Sequence, residues 1–461
     1  MWLDAAVVAG YLLLLAWIGL TGGKKVRRAA DFGAGGGYGT AVLFASLSAS
    51  YIGGGYSAGN AAAAFEGGIG TALALCGFGV SMVLTGRFLA PGVARFDGCA
   101  TVGDILARQY GEAAGVAGGL CAFLCCAGVV GAQVETMGIV CRQLFGLPET
   151  AGVLIGCGVV MLYAAGGGVQ AVIRADLIQF AMLAVGMPLL LVLALRQAGG
   201  LAAVVRDTPP SFWDPYAGRH PLAFWCLFVS MACGEALAPP YTQRLLSGRS
   251  AAVTARATRL SGWFAFPFFA VTALLGITAR SLQVCRDGRD ALPALVMEVL
   301  PAGARGLLMA AMVSVALSAA DGFLNSAAVS LVGDVLTPLR RTPAPDRTVL
   351  RQMRLVTLLT GLLAAATALL LPDVLGILAF SYAFWAPLLL VPLAAALRGT
   401  RADGRCFFAA AAAGLAGMTA WNLLLYARTG VDGTVPGLLC NLAMFVCCAR
   451  RRAKIDRKPA A

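Results

Sequence analysis

Charged residues are scarce in this chain, and long apolar runs take their place. Of its 461 residues, 12% are charged and 59% are hydrophobic, and the mean hydropathy is +0.81. A soluble protein carries roughly 25% charged residues, so this composition excludes a chain built mainly from water-soluble domains. Zinc-like CxxC spacing is absent, since Cys121 and Cys125 are four residues apart, and we expect no metal centre of that kind. No nucleophile–base pair is apparent, so an enzyme is the least favoured class.

Apolar runs of about 20 residues, the length that crosses roughly 30 Å of hydrocarbon, recur along the whole chain. They predict an all-α polytopic membrane protein that forms one membrane domain with about 13 transmembrane helices. The predicted spans are 3–21, 40–66, 69–94, 114–140, 150–166, 171–195, 221–243, 258–279, 303–333, 353–372, 374–397, 406–427 and 430–449.

The net charge of +13 is explained by topology rather than by a nucleic-acid partner. If the loop with Lys24, Lys25, Arg27 and Arg28 is cytoplasmic, alternation of the spans puts 26 of the 35 Lys and Arg, Arg244 included, on that side. By the positive-inside rule, the N-terminus is then outside and the C-terminus, with the basic tail 450–461, is cytoplasmic. The first span is not expected to be a cleaved signal peptide, because its basic cluster follows it. We expect a multi-pass protein of a cell (inner) membrane.

Two of the predicted spans contain residues that interrupt helices. The run ASLSASYIGGGYSAGNA has glycine at Gly53, Gly54 and Gly55, and the run FVSMACGEALAPPYTQRLL has Pro239 and Pro240 in succession. Glycine weakens a helix and proline removes a backbone donor. In lipid, such breaks survive only where they are buried in protein or line a polar cavity. Paired breaks in two halves of a membrane protein indicate a transporter's binding site.

The span order predicts an inverted repeat. Spans two to six and seven to eleven each make five, an odd number, so the two units enter the membrane with opposite orientation, and each opens on a broken span. We predict a first repeat at 40–195 and a second at 221–397. The rest of the chain is predicted to form an extra N-terminal helix at 3–21, two C-terminal helices at 406–449 and the tail 450–461.

Away from the span ends, four acidic residues lie inside predicted spans, where charge is costly and often functional. Each also has a structural interpretation. Asp176 could pair with Arg174 or cap a helix; Glu235 could accept hydrogen bonds from backbone amides freed by the break. Asp321 could sit with Asn325 in a solvated crevice, and Glu135, with Gln133, could face a cavity or a neighbouring helix.

Sodium needs several hard oxygen ligands, and carbonyls at a helix break can supply them. Ala49 and Ile52 immediately precede the glycine break, and Ser318 offers a hydroxyl in a span that has few. These residues form a candidate sodium site.

Four segments of the chain resemble the sodium:solute symporter family: KKVRRAADF with SLSASYIGGGYSAG, GGGVQAVIRADLIQFAML, PPYTQRLLSGRS and SAADGFLNSAAVSLVGDVLTP. The resemblance implies a LeuT-like core of 5+5 inverted-repeat helices. It also implies a sodium site formed by the carbonyls of Ala49, Ile52 and Val315 with the side chains at Ser318 and Ala319, and a sodium exit at Asp176. The family usually has two adjacent hydroxyls where this chain has Ser318 and Ala319, so one ligand is missing.

Within the family, SYIGGGY is most similar to the choline-transporter branch, which holds its substrate in an aromatic cage. The resemblance puts Tyr51 at a cage position, whereas the segment around Ala238 lacks an expected aromatic residue. Packing is the alternative role for aromatic residues in these spans. The predicted substrate-binding residues are Tyr51, Gly53, Gly54, Gly55, Gln133, Glu135, Glu235, Tyr241, Tyr382 and Trp385, with Tyr56 as a further candidate for the cage.

The resulting hypothesis is a sodium-coupled symporter that imports a small polar organic solute by alternating access. The solute would be an amino acid, a quaternary amine, a vitamin or a carboxylate, and Na⁺ the coupling ion, with no other cofactor. A proton-coupled transporter that uses Asp321, Glu235 or Glu135 is the first alternative, favoured by Ala319. A membrane sensor that does not transport is the second, although the chain shows no output domain. The sequence leaves the oligomeric state open.

Overall fold

A computed structural model describes residues 2–23, 28–33, 36–53, 55–216, 220–340, 344–370, 381–382 and 385–455. These residues are almost entirely helical. The α-helices are α1 (Trp2–Gly23), α2 (Ala29–Gly33), α3 (Thr40–Tyr51), α4 (Asn60–Gly67), α5 (Gly70–Leu84), α6 (Val102–Tyr110), α7 (Glu112–Phe145), α8 (Glu149–Gln197), α9 (Leu201–Asp207), α10 (Pro221–Gly234), α11 (Pro239–Leu246), α12 (Ala251–Ser281), α13 (Ala291–Val299), α14 (Ala304–Val329), α15 (Asp346–Leu370), α16 (Val391–Arg398), α17 (Gly404–Leu424), α18 (Tyr426–Thr429) and α19 (Thr434–Ile455). Helix α8 is kinked at Gly168, whose φ of 56° is not helical, and the kink divides it into two spans.

Within the described ranges, eight helical segments are long and apolar enough to cross a membrane, or nine if one sharply bent pair counts as a single span. The eight are Gly70–Phe96, Glu112–Ile139, Glu149–Gly166, Gly168–Gln197, Ala251–Ser281, Ala304–Leu336, Asp346–Leu370 and Gly404–Leu424. Shorter apolar helices cover Trp2–Ile18, Thr40–Tyr51 and Ala386–Arg398. The all-α membrane architecture is therefore confirmed. The count of about 13 spans stays a prediction, because much of 371–384 lies outside the described residues.

Both predicted helix breaks are present. Helix α3 ends at Tyr51, Ile52 and Gly53 form a bend, and the chain becomes helical again as a π-helical turn at Gly55–Gly59 before α4. Gly54 lies outside the described residues. The second break separates α10 from α11, whose axes differ by 49°, and Leu237 within it has a φ of 56°. A leucine rarely adopts this left-handed conformation, so the surrounding packing must hold it.

Helix α14 lies at the centre of the protein. In its most apolar stretch 94% of the residues are buried, compared with 28% for Gly168–Gln197 and 17% for Gly404–Leu424, which leave much of their apolar surface for lipid. Helix α1 is fixed to α14 at two points. The carboxylate of Asp4 accepts hydrogen bonds from the N–H groups of Gly303 (2.7 Å) and Gly306 (2.9 Å), which suits the positive end of a helix, and Tyr11 bonds the hydroxyl of Ser314 at 2.6 Å.

Candidate functional site

The glycine break packs against α14 and α7. A Cβ atom added at Gly53 would lie 2.8 Å from the Cβ of Ala319 and 2.9 Å from Oε1 of Gln133. Both separations are too short for any side chain, so this close approach requires glycine. The structure therefore brings together three of the residues predicted from sequence, one from the break, one from α14 and one from α7.

The proposed carbonyl ligands lie at the end of α3. Ala49 and Ile52 are both buried, and no backbone N–H of a described residue donates to either carbonyl oxygen. Carbonyls at the C-terminal end of a helix carry partial negative charge and attract cations. Val315 lies on α14 one turn before Ser318 and Ala319.

A fully buried network surrounds Asp176 and joins four helices. The hydroxyl of Ser318 on α14 donates to Oδ1 of Asp176 on α8 at 2.5 Å. Arg244 on α11 donates from Nη2 to Oδ2 of the same carboxylate at 2.9 Å and from Nε to the hydroxyl of Ser46 on α3 at 2.8 Å. Ser46 in turn donates to Oδ2 of Asp176. A predicted sodium ligand and the predicted sodium exit are thus in direct contact.

This network corrects two expectations. Asp176 pairs with Arg244 and not with Arg174, whose side chain is exposed. Arg244 is 1% exposed, so it does not belong among the loop charges counted as cytoplasmic. Sequence reasoning missed Arg244 and Ser46 as site residues. A signal was available, because Arg244 lies within the segment that follows the proline break and contains no other charged residue before Arg249.

A second cluster centres on Glu235, in the break between α10 and α11. The hydroxyls of Tyr241 and Tyr382 both donate to its Oε1, the latter at 2.6 Å. The expected bonding to freed backbone amides is wrong: the described hydrogen-bond donors to Glu235 are tyrosine hydroxyls. Pro239 and Pro240 occupy the first two positions of α11, where neither has an N–H to offer.

The tyrosines that bond this carboxylate belong to a series of aromatic contacts. The ring of Phe78 lies 5.4 Å from that of Tyr56 and 5.9 Å from that of Tyr241. Phe323 extends the cluster, at 6.2 Å from Tyr241 and 6.5 Å from Tyr382. These centroid distances are those of interacting aromatic pairs, so the cluster forms one continuous wall from the first break to the second.

Tyr51 and Trp385 are held by backbone carbonyls. The hydroxyl of Tyr51 donates to the carbonyl of Ser261 at 2.8 Å, and its ring lies 4.9 Å from that of Phe78. The indole N–H of Trp385 donates to the carbonyl of Ala236, inside the second break, at 3.0 Å. Both side chains are buried, so their polar atoms serve to position the breaks.

The remaining predicted polar residues are also buried. Glu135 lies on α7 and Asp321 on α14. The expected solvated crevice around Asp321 is wrong, since Asp321 is fully buried. Asn325 donates to the carbonyl of Phe32 at 3.2 Å and accepts from Gln243, which fastens the segment before α3 to α14 and α11.

Known proteins are similar to this chain along most of its length. The sequence profile of the sodium:solute symporter family matches residues 32–404. A high-affinity choline transporter 1 of Caenorhabditis elegans is 23% identical over 404 residues, which cover 81% of this chain and 69% of that protein. The sodium/pantothenate symporter of Escherichia coli (strain K12) is 24% identical over 431 residues, 88% of this chain and 86% of its own length.

The fold also matches a solved structure, that of a Na⁺-coupled sialic acid symporter in a substrate-bound outward-open state. The TM-score is 0.82 at 18% sequence identity, and the match covers 97% of each chain. These similarities confirm the LeuT-like, inverted-repeat fold, and the related proteins are transporters and not enzymes. The chain belongs to the sodium:solute symporter family and is a sodium-coupled symporter of a small solute, embedded in a membrane by multiple helices.

Proposed function

We propose that sodium binds where the glycine break meets α14, and that the solute binds beside it. The carbonyls of Ala49, Ile52 and Val315 and the hydroxyl of Ser318 are the ligands; Ala319 contributes no side-chain oxygen. The close packing of Gly53 on Ala319 is the observation that carries this proposal. Because of it, carbonyl groups that accept no backbone hydrogen bond lie at a helix end next to Ser318. Asp176, bonded to Ser318, is the first group that sodium meets on leaving.

The solute site lies between the two breaks. Gly53 and Gly55 form one side and Glu235 with Tyr241 the other, while Gln133 and Glu135 on α7 and Tyr382 with Trp385 complete the walls; Gly54, also predicted for this site, lies outside the described residues. Sodium at the first break favours one arrangement of the repeats 40–195 and 221–397, and the solute binds better to that arrangement. Without such differential affinity there is no coupling. We propose a cell (inner) membrane, an outer N-terminus and import toward the cytoplasm.

The substitution Ser318→Ala tests the ion site. It removes one of the four proposed ligands, and we expect sodium affinity to fall about tenfold, equal to about 1.4 kcal/mol. The readout is the rise in melting temperature of the purified protein in sodium relative to potassium, since an ion that binds the folded state stabilises it by mass action. Ser211→Ala, an exposed serine, is the control. A sodium-specific rise that is unchanged in Ser318→Ala would place the ion elsewhere.

The substitution Ala319→Ser is the converse test. It restores the second hydroxyl that the family usually has, next to Ser318, and we expect sodium to bind more tightly, by about threefold to tenfold. The same melting experiment, as a sodium titration, measures it. Weaker sodium binding in Ala319→Ser would mean that the ion does not approach this part of α14.

A further inference from the structure

The interior of the described protein contains many more acidic than basic side chains. Six carboxylates are buried, whereas the only buried Lys or Arg among the described residues is Arg244; the carboxylates are Asp4, Glu135, Asp176, Glu235, Asp321 and Asp334. Arg244 is already bonded to Asp176 and Ser46. The described interior therefore offers no second cationic side chain to receive an anionic solute, and a buried charge needs a partner of opposite sign.

Glu235 shows where that partner is missing. Its Oε1 accepts from Tyr241 and Tyr382, and the Tyr56 hydroxyl also interacts with the carboxylate, but Oε2 is buried and no donor of a described residue lies within hydrogen-bond geometry of it. The side chain is 3% exposed. A buried acceptor without a donor is costly, more so when it is charged. The carboxylate lies at the second break, inside the proposed solute site, and is thus positioned to accept a donor from the solute.

The rings around Glu235 favour the same class of ligand. Tyr56, Tyr241, Phe78, Phe323 and Tyr382 form a connected aromatic cluster. The faces of such rings attract cations electrostatically, and the attraction is stronger where water is excluded. Aromatic faces therefore add to the negative charge of the carboxylate, and both disfavour an anion.

We propose that the transported solute is a small organic cation whose protonated amine donates an N–H to Oε2 of Glu235 while its apolar atoms lie against this aromatic cluster. The proposal rests on the solute site described above and narrows its substrate to amines that carry an N–H when protonated. A quaternary ammonium has no N–H and would leave Oε2 without a donor. A solute whose only charge is a carboxylate would face Glu235 with no compensating cation.

Methylammonium is the smallest probe of this site. The full-length purified protein is melted in constant sodium with equal concentrations of methylammonium, tetramethylammonium or potassium chloride. We expect methylammonium to raise the melting temperature by about 2 °C when it saturates the site, and the other two salts to give no rise. Glu235→Gln should abolish the rise, whereas Glu112→Gln, which removes an exposed carboxylate, should retain it.

Several results would overturn the proposal: no rise with methylammonium in the wild-type protein, an equal rise with tetramethylammonium, or a rise that persists in Glu235→Gln. If Glu235→Gln does not fold, Glu235→Asp keeps the charge and should retain the preference for methylammonium, more weakly. The sodium-specific rise is measured separately without amine. If methylammonium does not stabilise the protein but the sodium-specific rise is retained, the amine proposal is refuted and the proposed sodium site is not.

Discussion

At the scale of single residues, the Asp176–Arg244 ion pair ties together helices that are far apart in the sequence. It joins α8 to α11 with side chains that are at most 1% exposed, and Ser46 and Ser318 add bonds from α3 and α14. A buried pair of this kind adds little net stability over apolar residues, but removal of one partner is severe, because it strands a charge. Any sodium that competes for Asp176 would weaken the pair.

Arg244→Gln should therefore destabilise the protein by about 3–5 kcal/mol, and Asp176→Asn in the same chain should restore a large part of the loss, because no stranded charge remains. Melting of the two single variants and of the double variant measures the coupling. The control is Arg289→Gln, which breaks an exposed pair with Asp287 and should cost less than about 1 kcal/mol. A double variant no more stable than Arg244→Gln would contradict this account.

The same residues show what a sequence can predict about a site. Asp176, Ser318 and Glu235 could be selected because polar groups are rare and costly inside apolar runs. Their partners could not be predicted, since Arg244 lies 68 positions from Asp176 in the chain and only tertiary packing brings them together. Local reasoning instead chose Arg174, two positions away, which points out of the interior. The tyrosines around Glu235 come from three separate segments for the same reason.

At the scale of helices, the two breaks follow directly from residue chemistry. Three successive glycines weaken a helix and two successive prolines interrupt one, so both interruptions were predictable from sequence. The 49° bend between α10 and α11 and the contact of the first break with α14 were not, because they depend on what packs against each break. Gly53 is required by that packing, and not only by its own backbone.

Gly53→Ala tests this packing. The new methyl group would lie within 3 Å of Ala319 and Gln133, so α14 or α7 must shift, at a cost of about 1–3 kcal/mol. We expect both a lower melting temperature and weaker sodium stabilisation. Gly10→Ala, on α1, is the matched control, because its added methyl meets nothing within 4 Å. A Gly53→Ala protein with normal sodium stabilisation would show that the ion does not depend on the fit between the break and α14.

At the scale of the whole molecule, composition determined the class and charge distribution predicted the topology. Apolar side chains such as Leu13, Leu162, Leu362 and Leu423 are exposed, as expected of surfaces that face lipid. The basic residues gather on one side of the predicted spans, and removal of Arg244 from that count leaves 25 of 35 on the side of the first loop. The bias therefore survives the correction, since orientation depends on loop charges near the ends of spans.

Reporter fusions to the full-length chain test the predicted orientation. A fluorescent protein that matures only in the cytoplasm should be bright when fused after the C-terminus, and alkaline phosphatase, which needs an oxidising compartment, should be inactive there. Fused before the N-terminus and exported with it, the phosphatase should be active. Substitution of Lys24, Lys25, Arg27 and Arg28 by glutamine should weaken this preference, because these charges lie directly after the first span. An active phosphatase at the C-terminus would contradict the proposed orientation and would put Asp176 toward the outer side.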